Sequence, residues 1–125
     1  MTKDELKIRT KKYGIEIIKF LYSLPKEYIT SALTNQLVRS ATSIGANYRT
    51  ALRSRSDKEF IAKIGIIVEE ADETLYWLEI MREVPQFNGV KNEIDLLMKE
   101  ANELTAIFVS TLKTLKSQKI LNPIS

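Results

Sequence analysis

Residues 90–115 read VKNEIDLLMKEANELTAIFVSTLKTL, and apolar side chains recur in this stretch at steps of three and four residues. That spacing puts them on one face of an α-helix, whereas a half-buried β-strand would alternate every second residue. It is the spacing of a seam that packs against other helices in a bundle. The aligned residues are Val90, Ile94, Leu97, Ala101, Leu104, Phe108, Leu112 and Leu115. The stretch therefore predicts a long helix with one buried face.

Three segments upstream repeat the same helical spacing. Their stripes are Leu6, Tyr13, Ile17, Leu21 and Leu24; then Leu33, Leu37, Ala41, Ile44, Tyr48 and Ala51; then Phe60, Ile64, Ile67, Ala71, Leu75, Leu78 and Met81. We predict helices over roughly residues 4–24, 29–54, 57–84 and 89–117, with a frayed tail at 119–125. Short connections make neighbouring helices antiparallel. The sequence thus predicts one all-α domain, residues 1–125, folded as an up-down four-helix bundle.

Local signals place the helix boundaries. Pro25 and Pro85 end the first and third helices, because proline cannot continue a helix. The run Ser56-Asp57-Lys58-Glu59 predicts a capping box, in which the serine hydroxyl accepts an amide and the glutamate accepts the serine's own N–H. Residues 84–89 are predicted as a loop.

Three glycines, Gly14, Gly45 and Gly65, fall inside predicted helices. A glycine there costs about 1 kcal/mol relative to alanine. Close approach of another helix would explain them. That helix belongs either to the same core or to a neighbouring subunit.

The composition argues against enzymatic activity. Histidine and cysteine are both absent from the 125 residues, which removes the commonest general base, the commonest metal ligand and every thiolate. No glycine-rich phosphate loop is present. Residues 1–12 lack the apolar run of a signal peptide, and no stretch reaches the roughly 18 apolar residues of a membrane span. We expect a cytoplasmic, non-enzymatic protein without catalytic residues, metal, cofactor or membrane contact.

Charge is unevenly distributed along the chain, whose net charge is +3. Residues 31–58 hold five cations against one acid, whereas residues 59–84 hold two cations against seven acids. Clustered cations attract phosphate backbones through counterion release, so RNA or DNA contact is one prediction. Solvation, or pairing with the acids of the third helix in the same or an adjacent subunit, is the alternative. The candidate residues are Arg39, Arg49, Arg53, Arg55 and Lys58, joined by Lys7 and Lys11 on the first helix.

Two helices carry apolar residues outside their core stripes. These are Ile8, Ile15 and Tyr22 in the first helix, and Ile66, Tyr76, Trp77 and Ile80 in the third. Such aligned sets indicate either a subunit contact or an unusually wide core. The first and third helices lie at opposite corners of an up-down bundle, so the contacts would be heterologous. Heterologous contacts close into a ring or continue as a filament, and we expect a ring.

Polar residues flank the core stripe of the second helix at Gln36, Ser40, Ser43 and Asn47. Polar groups beside a core usually hydrogen-bond to a neighbouring helix. Recognition of a partner is the other interpretation.

These residues also carry a resemblance. The runs QLVRSATSIGANYR (36–49), SDKEFI (56–61) and EEADETLYWL (69–78) resemble the bacterial four-helix-bundle family of 23S rRNA-intervening sequence proteins. Its most specific part is the pattern R-S-x-x-S-I-x-x-N, which Arg39, Ser40, Ser43 and Asn47 match, preceded by Gln36. The chain is also similar to the accessory variability determinant protein of diversity-generating retroelements, a basic pentamer that binds nucleic acid and a reverse transcriptase.

The resemblance implies a homopentameric ring without established enzymatic activity. Its implied partners are other copies of the chain, RNA or DNA, and a nucleic-acid-processing protein. Our leading prediction is a ring-forming adaptor that presents basic helix surfaces to RNA or to a nucleic-acid-bound protein. The competing prediction is a purely structural or protein-binding homo-oligomer that does not contact nucleic acid.

Overall fold

The computed structural model describes residues 1–26 and 31–121, and in this part of the chain all regular structure is helical. Four α-helices follow one another: α1 (Lys3–Ser23), α2 (Ser31–Ala51), α3 (Asp57–Glu83) and α4 (Lys91–Leu121). A 3-10 helix over Pro85–Val90 joins α3 to α4. None of the described helices has both the length and the apolar character needed to cross a membrane. The prediction of an all-helical chain with four helices is confirmed.

The helix starts differ in detail from the prediction. The complete capping box lies at Thr2, whose hydroxyl accepts the Glu5 N–H and whose own N–H donates to the Glu5 carboxylate, both at 3.0 Å. At α3 the Ser56 hydroxyl accepts the Glu59 N–H at 3.1 Å. The Glu59 carboxylate, however, accepts the N–H of Arg55 at 3.3 Å and not that of Ser56. The reciprocal half of the predicted box was therefore wrong by one residue.

Three helix boundaries also differ. The predicted start of α2 at residue 29 lies outside the described residues, and α2 ends at Ala51, after which residues 52–54 form a hydrogen-bonded turn. The predicted loop at 84–89 is mostly 3-10 helix, and it buries Phe87 against the core. The last helix continues through Leu121 and does not end near residue 117. Residues 122–125 lie outside the described part.

The four predicted stripes meet in one core. All five residues of the first stripe are buried, and Ile44, Ile64, Ile94 and Phe108 have no exposed surface. Leu33, Phe60, Val90 and Leu112, at or near the ends of the other three stripes, are half-buried and pack against this core. The prediction of the core from helical spacing is confirmed. It missed Phe20 and Phe87, and it missed the buried hydroxyls of Thr10, Ser40 and Thr74.

Each helix packs mainly against its neighbours in the chain, and α1 and α4 share far fewer contacts. Polar groups bridge this fourth seam. The Tyr13 hydroxyl donates to the Leu97 carbonyl at 2.9 Å, and Arg9 forms ion pairs with Glu100 at 2.6 Å and Glu103 at 2.7 Å. Burial raises the pKa of Tyr13, with a smaller contribution from Glu100.

Two helix glycines lie where α1 and α2 approach each other closely. A methyl group on Gly14 would lie 3.4 Å from the Thr42 Cα, and one on Gly45 would lie 3.2 Å from backbone atoms of Thr10 and Lys11. The first of the two interpretations, close approach within the core, therefore holds for both. Gly65 differs, because a methyl group there would meet no described atom within 4 Å.

Candidate nucleic-acid interface

A groove runs along the surface between α1 and α2, with a volume of about 520 Å³. Gly14 and Gly45 line the groove where the two helices approach each other closely, and neither residue has a side chain that would fill it. Lys7 and Lys11 line its α1 side and Arg49 its α2 side, whereas Ile15 and Ile18 line the remaining α1 wall. We call this feature the α1–α2 groove.

The charges of the α1–α2 groove are not compensated by acidic side chains of the described residues. Lys7, Lys11 and Arg49 are exposed, and none of them forms an ion pair with another described residue. No acidic side chain lines the groove in the described ranges. Positive potential in a concave site concentrates anionic ligands, so the groove suits an acidic partner.

A second set of cations surrounds the connection between α2 and α3. It consists of Lys3, Arg53, Arg55 and Lys58, and we call it the turn surface. All four side chains are exposed, and none is ion-paired with residues 1–26 or 31–118. Lys3 and Arg55 line a cleft of about 340 Å³ together with Ser56 and Asp57. The N-terminus of α1 and the turn therefore present their charges on the same end of the helices.

Arg39 lies apart from both basic sets. Its guanidinium donates to Glu70 at 3.1 Å and also pairs with Glu73, both on α3. It is further within 3.4 Å of the Gln36 side-chain oxygen. Arg39 therefore lies on the α3 flank of α2, whereas Arg49 lies on the α1 flank.

Of the polar residues that flank the core stripe of α2, only some hydrogen-bond to a neighbouring helix. The Thr74 hydroxyl of α3 donates to the Ser40 hydroxyl at 2.9 Å, and Ser40 donates to the Leu37 carbonyl. Ser43 and Asn47 instead donate to carbonyls of α2 itself, those of Arg39 and Ser43. Bonding to a neighbouring helix is confirmed for Ser40 and was wrong for Ser43 and Asn47. The Arg39-Ser40 pair of the sequence motif thus joins α2 to α3.

Most of the predicted interface residues are exposed. Tyr22 and Ile8 on α1 are 88% and 68% exposed, and Tyr76 on α3 is 53% exposed. Ile15, Ile66 and Ile80 are exposed as well. A wide core therefore does not account for these six side chains. Trp77 is different: it is half-buried against the core, with its ring edge-on to Tyr76 at 5.1 Å.

Two features of the surface were missed in the sequence. Leu96 is 68% exposed and lines a second groove, between α1 and α4, beside Lys12 and Glu16. One indication of its exposure was present in the sequence, namely that Leu96 lies outside the core stripe of α4. Pairing of Arg9 with two α4 acids was also missed, because helical spacing does not show which helices become neighbours in space.

Comparisons with known proteins identify a matching family and a similar crystal structure. Residues 5–110 match the family model described as 23S rRNA-intervening sequence protein. The chain is also similar to a crystal structure of a protein of unknown function from the S23 ribosomal protein family of Bacteroides thetaiotaomicron. The two are 28% identical, the similarity covers 90% of this chain and 99% of that chain, and the TM-score is 0.81. No curated protein matches the sequence.

Proposed function

From the premise that this chain belongs to the 23S rRNA-intervening sequence protein family, we propose that it is a cytoplasmic, non-enzymatic adaptor. It assembles into a closed ring, in our proposal a pentamer, and binds RNA or RNA-bound protein through the turn surface. The observation that carries the proposal is the set of four exposed cations, Lys3, Arg53, Arg55 and Lys58, without ion pairs in the described chain.

The contrast with the paired arginines supports this assignment. Arg9 and Arg39 each contact two carboxylates of a neighbouring helix, so their charges serve helix packing. The turn-surface cations have no such role. Unpaired Lys and Arg side chains bind phosphates without reading base sequence and release counterions as they do so.

A ring would strengthen a weak site. One copy of the turn surface offers four cations, but a ring repeats it once per subunit, and linked sites gain affinity through avidity. The exposed apolar residues of α1 and α3 support such assembly. Because α1 and α3 both pack against α2, their outer faces point in different directions, which favours heterologous contacts.

The test is RNA affinity measured against salt. Fluorescence anisotropy would use a short single-stranded RNA and a duplex of the same sequence, between about 50 and 200 mM salt. The variant Arg53→Gln/Arg55→Gln/Lys58→Gln removes three charges from the turn surface. We expect at least about tenfold weaker binding and a log–log salt slope lower by about 2 to 3.

The matched control is Lys99→Gln/Lys113→Gln/Lys116→Gln, which removes three charges from exposed positions of α4. We expect its affinity to stay within about threefold of the wild-type value, since these lysines lie outside the turn surface. If both triple variants weakened RNA affinity equally, the attraction would depend on overall charge and not on the turn surface. Absence of RNA binding by the wild type at low salt would overturn the RNA proposal.

The competing function, a structural or protein-binding oligomer, is favoured by one observation. Arg39, which belongs to the sequence motif, forms ion pairs with Glu70 and Glu73 of the same chain. If all basic residues served assembly in this way, the wild type would show no RNA affinity at any salt concentration.

A further inference from the structure

The outer face of α3 carries a second seam with coiled-coil spacing. Steps of four and three residues join Ala62, Ile66, Glu69, Glu73, Tyr76, Ile80 and Glu83. The core seam of α3 faces the other way, through fully buried Ile64, Ile67 and Leu78. We call the first set the outer α3 seam. Four of its seven residues are apolar and exposed, and aligned exposed apolar residues indicate a contact surface.

A matching seam runs along the outer face of α1. The same steps of three and four residues join Ile8, Lys11, Ile15, Ile18 and Tyr22. We call this set the outer α1 seam. Lys11, Ile15 and Ile18 also line the α1–α2 groove, so the seam and the groove form one continuous surface.

The two seams have opposite charges. The α1 surface combines apolar residues with Lys7, Lys11 and Arg49, which are all without ion pairs in the described chain. The α3 surface combines apolar residues with Glu69 and Asp72, which are exposed and equally unpaired there. Complementary potentials of this kind steer association and fix its register.

One chain cannot bring these two surfaces together. The helix α1 packs against α2 and, more weakly, α4, while α3 packs against α2 and α4 from another corner. Both seams face away from the core. Their union therefore requires two copies, and because the joined faces differ, the contact is heterologous.

We infer that the outer α3 seam of one copy docks on the outer α1 seam and the α1–α2 groove of a second copy. Glu69 and Asp72 then face Lys7, Lys11 and Arg49 across the contact. The inference rests on the ring-forming part of the proposed function and names the two faces that join. Gly65 fits this arrangement, because a methyl group there would meet no described atom within 4 Å, and the missing side chain lets another helix approach closely.

The charge pattern of the groove favours this occupant over RNA. Its cations continue into a row of exposed isoleucines and Tyr22. An acidic amphipathic helix matches both parts, whereas a phosphate backbone matches the cations alone. The four turn-surface residues are not among the residues that we place in this contact, so RNA affinity and assembly are measured on different side chains.

Charge reversal tests the inference on exposed residues only. Lys7→Glu/Lys11→Glu reverses two charges of the α1–α2 groove, and Glu69→Lys/Asp72→Lys reverses one charge of the outer α3 seam and that of the adjoining Asp72. We expect each double variant to associate at least about 30-fold more weakly than the wild type, because like charges then face each other. Light scattering would report a mass near that of one 14.3 kDa chain. Circular dichroism checks that the helices are retained.

The quadruple variant, which carries all four substitutions, restores opposite charges across the contact. We expect it to recover the wild-type mass, while mixtures with wild type form fewer mixed rings than chance allows. The control Lys113→Glu/Lys116→Glu, on exposed positions of α4, should keep the wild-type mass.

Three results are decisive. An oligomeric wild type whose double variants keep its mass would overturn this inference but leave the proposed ring standing. A monomeric wild type would overturn both. Loss of mass in the double variants without recovery in the quadruple variant would also contradict the inference, since any disruption of the surface could produce it. RNA affinity, measured on the turn surface, is a separate readout.

Discussion

The two flanks of α2 use arginine in opposite ways. On the α3 flank, Arg39 is held by Glu70 and Glu73, and the Ser40 hydroxyl accepts a hydrogen bond from Thr74. On the α1 flank, the helices are brought together by Gly14 and Gly45, and Arg49 has no acidic partner among the described residues. One flank is closed by polar pairs, and the other leaves its cations free for a partner.

This difference separates charges that are paired within the fold from charges that we propose to serve binding. Both flanks look alike in the sequence, where Arg39 and Arg49 are equally polar positions of one helix. Their contacts in the folded chain distinguish the two arginines. Substitutions on each flank should therefore have different consequences for stability and for association.

The largest effect is expected where α1 and α2 approach. The substitution Gly45→Val would place side-chain atoms against the backbone of Thr10 and Lys11. We expect the free energy of unfolding to fall by about 2 to 3 kcal/mol, as for overpacking of a dense core. Urea denaturation of the substituted protein measures the change.

Gly65→Val is the matched control, since a methyl group there would meet no described atom within 4 Å. Because Gly65 lies in the proposed subunit contact, both valines are compared in the Lys7→Glu/Lys11→Glu background, which we expect to be monomeric. The free energy of unfolding should change there by no more than about 0.5 kcal/mol for Gly65→Val. If both valines lower the free energy of unfolding equally, close approach of α1 and α2 at Gly45 is not what makes that position sensitive.

The second effect concerns the α3 flank. Arg39→Gln would leave Glu70 and Glu73 without their cation, and both acids are partly covered. We expect a loss of about 1 kcal/mol in the free energy of unfolding, because solvent screens a guanidinium that is about half exposed. In the Lys7→Glu/Lys11→Glu background, which we expect to be monomeric, Arg49→Gln should change it by no more than about 0.5 kcal/mol. A reversed order would contradict the division between the two flanks.

The sequence predicted what depends on local spacing and missed what depends on neighbours. The core stripes followed from helical period alone, and all four were found. Phe87 was missed because Pro85 and Gly89 on either side are typical of a loop, whereas burial of the Phe87 ring folds the segment into a 3-10 helix.

The sequence identified the cations of the candidate site but not how they are arranged on the folded chain. The cations were identified by composition, yet spacing on one helix does not determine which side of α2 meets α3. The ion pairs of Arg39 and Arg9 come from that packing. Leu96 was similarly invisible, because its exposure depends on how far α4 lies from α1.

The smallest effect concerns the α1–α4 seam, where another arginine is paired. The hydrogen bond from Arg9 is the main cause that lowers the pKa of Glu100 below its ordinary value of 4.5. A lowered pKa in the folded state means that the pair stabilises above about pH 4.5 and loses this contribution as the pH falls through the folded-state value.

We expect Glu100→Gln to lower the free energy of unfolding at pH 7 by about 0.5 to 1 kcal/mol, a modest value because both groups are partly solvated. The difference from wild type should shrink as the pH falls from about 5 to 3. Thermal denaturation over this pH range measures it. A difference that is constant with pH would show that the ion pair is not its cause.

Native mass spectrometry of the protein, purified without nuclease at low salt, tests ring assembly and RNA binding together, because one spectrum reports the subunit number and any bound RNA. We expect a ring of about five 14.3 kDa chains that carries RNA, and the RNA should be lost from the Arg53→Gln/Arg55→Gln/Lys58→Gln variant while the ring persists. A bare species of one chain in the wild type would contradict this expectation.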